Sequence, residues 1–287
     1  ILIIIVSVVL FLTYFGLETD RFDNLIKNKT NEINQNVKLE FQKTRIYLNL
    51  TKLNLVVKLQ KPKILLKNNE IDLSKLDLFL SLKSFFSSDF LLNRAEIAFT
   101  KNDIRDLTKI TNIYLPTIIN KQLKKVFVKG NLEGEFVIPF EFDGSIGKNY
   151  GFSGKVSNAT IKLTREFSIK NLTTEIYHGK NTEIGGFTAI INEGSFFDLK
   201  LAGSTINLER EESKTKIKSL LRTNGKLNFS QIKKISSLFG FNTNMIKDAN
   251  GISDLKTNIN FYLNKKLKIE NFSLSTEGDI SYFEIHT

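Results

Sequence analysis

Residues 37–82 read VKLEFQKTRIYLNLTKLNLVVKLQKPKILLKNNEIDLSKLDLFLSL, and their period decides the fold. Val37, Leu39 and Phe41 alternate with Lys38, Glu40 and Gln42; Ile46, Leu48 and Leu50 alternate with Tyr47, Asn49 and Thr51. Leu53, Leu55 and Val57 follow, then Ile64 and Leu66, then Leu76, Leu78, Leu80 and Leu82. A period of two sends successive side chains to opposite faces, so each stretch reads as a strand with one apolar and one wet face. The breaks at Lys61-Pro62 and Asn68-Asn69 are turn-like. Such short breaks make neighbouring strands antiparallel, since parallel ones need long crossovers.

The pattern extends toward the C-terminus. After a turn-like Ser87-Ser88-Asp89, a strand is expected over 93–100 through Ala95, Ile97 and Phe99. Residues 103–123 return to helical spacing at Ile104, Leu107, Ile110, Tyr114 and Ile118, with Pro116 placed to kink them. Val126 and Val128 then lead to Gly130, and Phe136, Ile138, Phe140 and Phe142 form an apolar row. Pro139 inside that row implies an edge strand or a bulge. Ala159, Ile161 and Leu163 come next, then Ile169 and Leu172, the run 187–191, Leu199 and Leu201, and Ile206 and Leu208. A short helix is expected over 230–239, after which Leu255, Ile259, Phe261, Leu263, Leu267, Ile269, Phe272 and Leu274 restore the alternation. The expected architecture is mainly β: an antiparallel meander with a few short helices, whose apolar face is covered in one of three ways, folding over as a sandwich, closing as a barrel, or curling into an elongated, open trough. Its β-rich segments are 37–125, closed by the helical interruption, and 126–287, expected to be truncated at the C-terminus.

Ahead of the strands, residues 1–17 read ILIIIVSVVLFLTYFGL, an apolar run without a charge. As a helix it reaches about 25 Å, just short of a ~30 Å hydrocarbon core. Ile1 is not a start methionine, so the natural span is expected to be longer. A transmembrane anchor is therefore expected at 1–17, with a juxtamembrane amphipathic helix at 18–36. Asp20 is placed to cap that helix, and Phe22, Leu25, Ile26 and Ile33 mark its apolar side. The flank Glu18, Asp20, Arg21 and Asp23 lacks the basic excess of a cytoplasmic side, which favours the opposite face of the membrane.

Composition narrows the chemistry. Without cysteine there is no disulfide, thiolate nucleophile or thiolate metal site, and the two histidines, His178 and His286, are far apart. No metal, cofactor or catalytic centre is expected. The motifs G-x-S-x-G, H-E-x-x-H and the P-loop are absent from the sequence. Asp143-Gly144-Ser145 reads as a turn rather than a hydrolase site. The net charge of +11 is spread along the chain, with neither an Arg-rich run nor a nucleic-acid motif. It reads either as a solvated exterior or as attraction to anionic lipid headgroups.

An apolar helix, then ETDRFDNLIKNKTNEI at 18–33, then the β-rich TRIYLNLTKLNLVVKLQKPKILLKNNEIDLSKLDLFLSLKSFF at 44–86 make an ordered series. FLLNRAEIAFTKNDIRDL at 90–107 and GKVSNATIKLTREFSIKNLTTEI at 154–176 follow. This order resembles the N-terminal part of the AsmA-like family of bacterial envelope proteins, whose larger relatives include TamB and YhdP. The resemblance implies a β-groove standing in the periplasm on a single-pass inner-membrane anchor. It also implies phospholipid transport between envelope membranes, or outer-membrane maintenance, without enzymatic activity. The alternative is a scaffold that helps outer-membrane proteins assemble by strand addition, without conducting lipid. The implied partners are phospholipid, the inner membrane and outer-membrane or periplasmic proteins, with no nucleic acid. The candidate groove lining is Leu76, Leu78, Leu80, Phe136, Ile138, Phe140, Ala159, Ile161, Leu163, Ile259 and Phe261; each reads equally as core.

Overall fold

The computed structural model describes every residue except 1, 34, 67–68, 84–90, 107–124, 146, 148, 164–166, 180–185, 212–213, 239–243, 245–246, 267 and 287. The turn expected at 87–89, most of the helical interruption expected at 103–123, and Leu267 lie outside the described residues.

The apolar N-terminal run forms helix α1, Leu2–Tyr14, in which no residue is buried. At 13 residues it is about 20 Å long. The expected transmembrane span at 1–17 is therefore corrected: among the described residues no helix is long and apolar enough to cross a membrane. The helix stops because Gly16 takes φ +70° and because Leu17–Glu18 becomes strand β1, with Leu17 opposite Ile46 and Glu18 opposite Arg45. A Cβ on Gly16 would sit 2.8 Å from the Ile46 carbonyl oxygen, so the chain passes the sheet here only as glycine. Glu18 then bonds Lys43 Nζ at 2.9 Å and Arg45 Nη2 at 2.5 Å, tying the helix exit to the sheet. Helix α2, Asp23–Ile33, is the expected amphipathic helix, with Phe22 at its entry and Ile26 inside it buried. It starts later than the sequence indicates, the Asp20 carbonyl accepting from Asp23 N–H at 3.0 Å.

The strands that follow are β2 Val37–Glu40, β3 Lys43–Asn49, β4 Asn54–Gln60, β5 Lys63–Leu66, β6 Asn69–Ser81, β7 Leu92–Asp103, β8 Phe127–Pro139 and β9 Gly151–Lys162. They continue as β10 Ser168–His178, β11 Phe187–Phe196, β12 Leu199–Lys200, β13 Ser204–Glu211 and β14 Lys214–Asn228. Helix α3, Phe229–Leu238, sits where the sequence places a helix, and β15 Asp248–Leu263 and β16 Ile269–His286 close the series. The protein is mainly β and antiparallel, as the alternation requires. Contacts divide it into two compact units, residues 1–102 with 132–154, and residues 103–131 with 155–287.

In the first unit the hydrogen-bonded order is β1-β3-β4-β6-β7-β8, with β2 and β5 joined to the N-terminal half of β6. β4 meets β6 through Leu55–Leu80 and Val57–Leu78, and β6 meets β7 through Leu78–Ala95 and Leu76–Ile97. Leu55, Val57, Leu59, Leu76, Leu78, Leu80 and Ala95 are all buried on this shared face. Val37, Leu39, Leu66, Ile71 and Leu73 on β2, β5 and β6 are buried with them. In β4 the opposite side is buried too, at Asn54 and Val56. This unit has a closed core.

Its other face carries a charged network. Lys75 Nζ bonds Glu96 at 2.6 Å and Glu135 at 3.0 Å, Arg94 bonds Glu96 at 2.8 Å, and Arg94 lies 4.1 Å over the Phe79 ring. Asp77, opposite Glu96, is buried, and its desolvation pushes the carboxyl above the usual range despite Lys58 and Lys75 nearby.

Candidate apolar binding face

The second unit resolves the same alternation differently. Along β14 the inward positions are Ile217, Ser219, Leu221, Thr223, Gly225 and Leu227; they are half-buried, while Arg222, Asn224, Lys226 and Asn228 are exposed. The registers carry this division across six strands. Ile176 of β10 faces Ala189 of β11, which faces Ile206 of β13, then Ser219, Ile259 and Leu274 on β14, β15 and β16. One step along, His178, Phe187, Leu208, Ile217 and Phe261 form the next row, and Phe272 of β16 ends it with its ring 6.4 Å from Phe261. The His178 ring stacks on Phe187 at 4.3 Å and its Nδ1 lies 2.9 Å from the Gly186 carbonyl oxygen. With strands about 4.8 Å apart, six of them make an apolar surface roughly 24 Å across.

This face is graded. Toward α3, which leaves β14 at Asn228, it is closed at Ile191, Ser204, Ser253 and Ala249. Toward the β13–β14 and β15–β16 turns it opens: Phe187 is 39%, Leu274 41% and Phe272 52% exposed. Soluble surfaces usually scatter single apolar residues, and this end of the sheet instead groups several of them.

The reverse face of the same strands is more polar and in part internally paired, with Ile190 and Leu220 its apolar members beside Thr205. Lys218 bonds Glu209 at 3.0 Å, Thr188 bonds Asn207 at 2.8 Å, and Lys214 bonds Glu270 at 2.6 Å. Lys214 and Asn264 hold the Glu270 carboxyl below its usual range; Tyr177 and Asn192 do the same for Glu175. Lys216 lies 5.6 Å over the Tyr262 ring.

The expected lining residues divide among three environments. Leu76, Leu78 and Leu80 are core of the first unit, Leu80 being 0% exposed, so those three line no open groove. Phe136, Ile138 and Phe140 are half-buried in the same unit. Phe136 packs between Phe99 and Phe152, with ring centroids at 6.0 and 4.5 Å, and the Phe140 N–H bonds the Asn93 carbonyl at 2.9 Å. In the second unit Ala159 is fully buried against Gly130, Ile161 is half-buried, and Leu163 is exposed where the chain turns, its N–H bonding the Phe167 carbonyl. Ile259 and Phe261 do lie on the open apolar face. The expected set is therefore not one surface. Ile206, Leu208, Ile217, Leu221, Phe272 and Leu274 also belong to the face; in the sequence Ile206, Leu208, Phe272 and Leu274 fall in expected strands without being named as lining, and Ile217 and Leu221 are passed over. The alternation of Lys214, Lys216 and Lys218 with Thr215, Ile217 and Ser219 was the signal available.

Asp143-Gly144-Ser145 is a turn: Ser145 N–H and Oγ–H donate to Asp143 Oδ1 at 2.9 and 2.6 Å, holding that carboxyl below its usual range. Among the described residues no group of three or more His, Asp or Glu side chains is placed to hold a metal. Against protein-family models, curated proteins and solved structures the chain gives no match.

Proposed function

We propose that this protein is a lipid-handling component of a bacterial envelope, held at the inner membrane through α1 with its β-rich mass in the periplasm. The apolar face of β10, β11 and β13–β16 shields phospholipid acyl chains in transit between membranes, or during outer-membrane maintenance. One observation carries this reading: among the described residues an apolar face that runs across six strands opens at one end, at Phe187, Phe272 and Leu274, while most of its reverse side is polar. Each acyl CH₂ withdrawn from water gains about 0.8 kcal/mol, so covering ten methylenes offsets about 8 kcal/mol of transfer cost. No covalent chemistry is needed. The uncovered α1 supports membrane attachment, because a helix apolar on every side is stable inside lipid or protein and not in water.

The test is photo-cross-linking of the full chain, reconstituted with a phospholipid bearing a diazirine on its acyl chain. Adducts are expected on Ile206, Ile217, Ile259 and Phe261. Adducts confined to α1, or none, would end the acyl-shielding reading.

A second reading has its own observation. β16 stands last in the hydrogen-bonded order and is exposed at every residue but Glu270, so its outer edge is free among the described residues to accept a strand from an outer-membrane protein under assembly. Cross-linking of such a client to the outer edge of β16, with no lipid adducts on the face, would favour this scaffold role.

A further inference from the structure

The open end of the apolar face carries a charge arrangement that lipid shielding alone does not require. The turn between β15 and β16 is Asn264-Lys265-Lys266-Leu267-Lys268. Asn264 organises it: its side-chain carbonyl accepts from the Lys266 and Lys268 N–H groups at 2.9 and 3.1 Å, and its own N–H bonds the Lys268 carbonyl. The nearby Glu270 is already engaged, by Lys214 at 2.6 Å and by the Asn264 amide at 2.7 Å. On the adjacent β13–β14 turn Glu211 is engaged by Lys216 at 3.6 Å. Lys265, Lys266 and Lys268 are exposed and meet no carboxylate among the described residues. Ile269, 60% exposed, follows them directly, and Phe272 and Phe261 end the apolar face immediately behind.

We infer that this turn docks on an anionic bilayer surface, where acyl chains pass between membrane and face; the inference rests on the lipid reading above. The two halves of the device are complementary. Three ammonium groups that meet no carboxylate among the described residues suit the phosphates of an anionic leaflet, while Ile269 and Phe272 are placed to enter where the headgroup layer gives way to hydrocarbon. Long lysine stems allow the charges to stay in the wet layer as the apolar side chains enter.

The full chain, held through α1 in nanodiscs of neutral phosphatidylcholine, can be floated with separate vesicles of phosphatidylcholine with or without phosphatidylglycerol. Occupying α1 leaves the turn as the part under test. Binding is expected only with phosphatidylglycerol, weakening with salt, and dropping about tenfold or more when Lys265, Lys266 and Lys268 are all changed to Gln. The corresponding Lys→Arg triple variant retains binding. Parent-level binding by the Gln variant, equal binding to neutral vesicles, or no binding by the parent would each overturn the docking role. Acyl cross-linking to Ile259 and Phe261 in the Gln variant separates the two proposals. If it persists while docking is lost, both stand; if the parent docks but never cross-links on the face, the lipid-shielding reading alone fails.

Discussion

Leu78 of β6 and Ile259 of β15 occupy equivalent places in alternating strands, each with an apolar neighbour opposite, Val57 and Leu274 respectively. Leu78 is buried in a closed core, whereas Ile259 is half-buried on a face that opens toward its turns. The strands themselves do not differ in kind. In the first unit α2, β2 and β5 add buried side chains such as Ile26, Leu39 and Leu66; in the second, the described chain spends its residues on widening the sheet. One alternating pattern thus serves either as half of a closed core or, in the second unit, as a face that is open at one end among the described residues.

The sharpest way to break this comparison is a matched pair of truncations. Leu80→Ala in the first unit empties a fully buried site and is expected to destabilise by about 3 kcal/mol in urea unfolding. Ile259→Ala should cost about 1 kcal/mol or less, and Ile259→Asp should fold while losing acyl cross-linking. Equal costs for the two alanine variants would show that the second face is covered after all. A middle-sized effect is expected at Gly130, which has φ +142° and would place a Cβ 2.7 Å from that of Ala159. Gly130→Ala is expected to destabilise by about 2 kcal/mol, measured by the same unfolding, with acyl binding to Ile259 and Phe261 unchanged. Loss of that binding would join Ala159 to the open face.

The smallest effect concerns the charged network of the first unit. Burial raises the folded-state pKa of Asp77, so its ionised form works against folding above that pKa, and the penalty fades as pH falls through it. Asp77→Asn is therefore expected to melt no lower than the parent at neutral pH, the difference closing on acidification. A marked loss of stability at neutral pH would mean that Lys58, 4.0 Å away, and Lys75 outweigh the burial.

Much of the architecture was legible because period two is a local property. Val37–Glu40, the strand through Leu55 and Val57, and the Phe229–Leu238 helix all follow from neighbours in sequence. The N-terminal helix was read too long because its end is fixed from outside: Gly16 and Leu17 are shaped by Ile46 and Arg45, some 30 residues on. β14 escaped notice since its inward row, Ile217, Ser219, Leu221 and Thr223, is half hydroxyl. The candidate site was the least legible part. Whether Leu78 or Ile259 meets protein or an open surface depends on distant elements packed above it, and alternation is silent about them.

From β8 onward, most strands pair with the strand made just before or after them, and β14, β15 and β16 form long two-residue-register ladders in order. Each added hairpin broadens such a sheet by about 10 Å and needs nothing from strands laid down much earlier. The second unit is therefore extensible in the manner of a tiled floor. Duplicating one hairpin enlarges the apolar face and deleting one shrinks it, while the joints between the remaining tiles stay as they were.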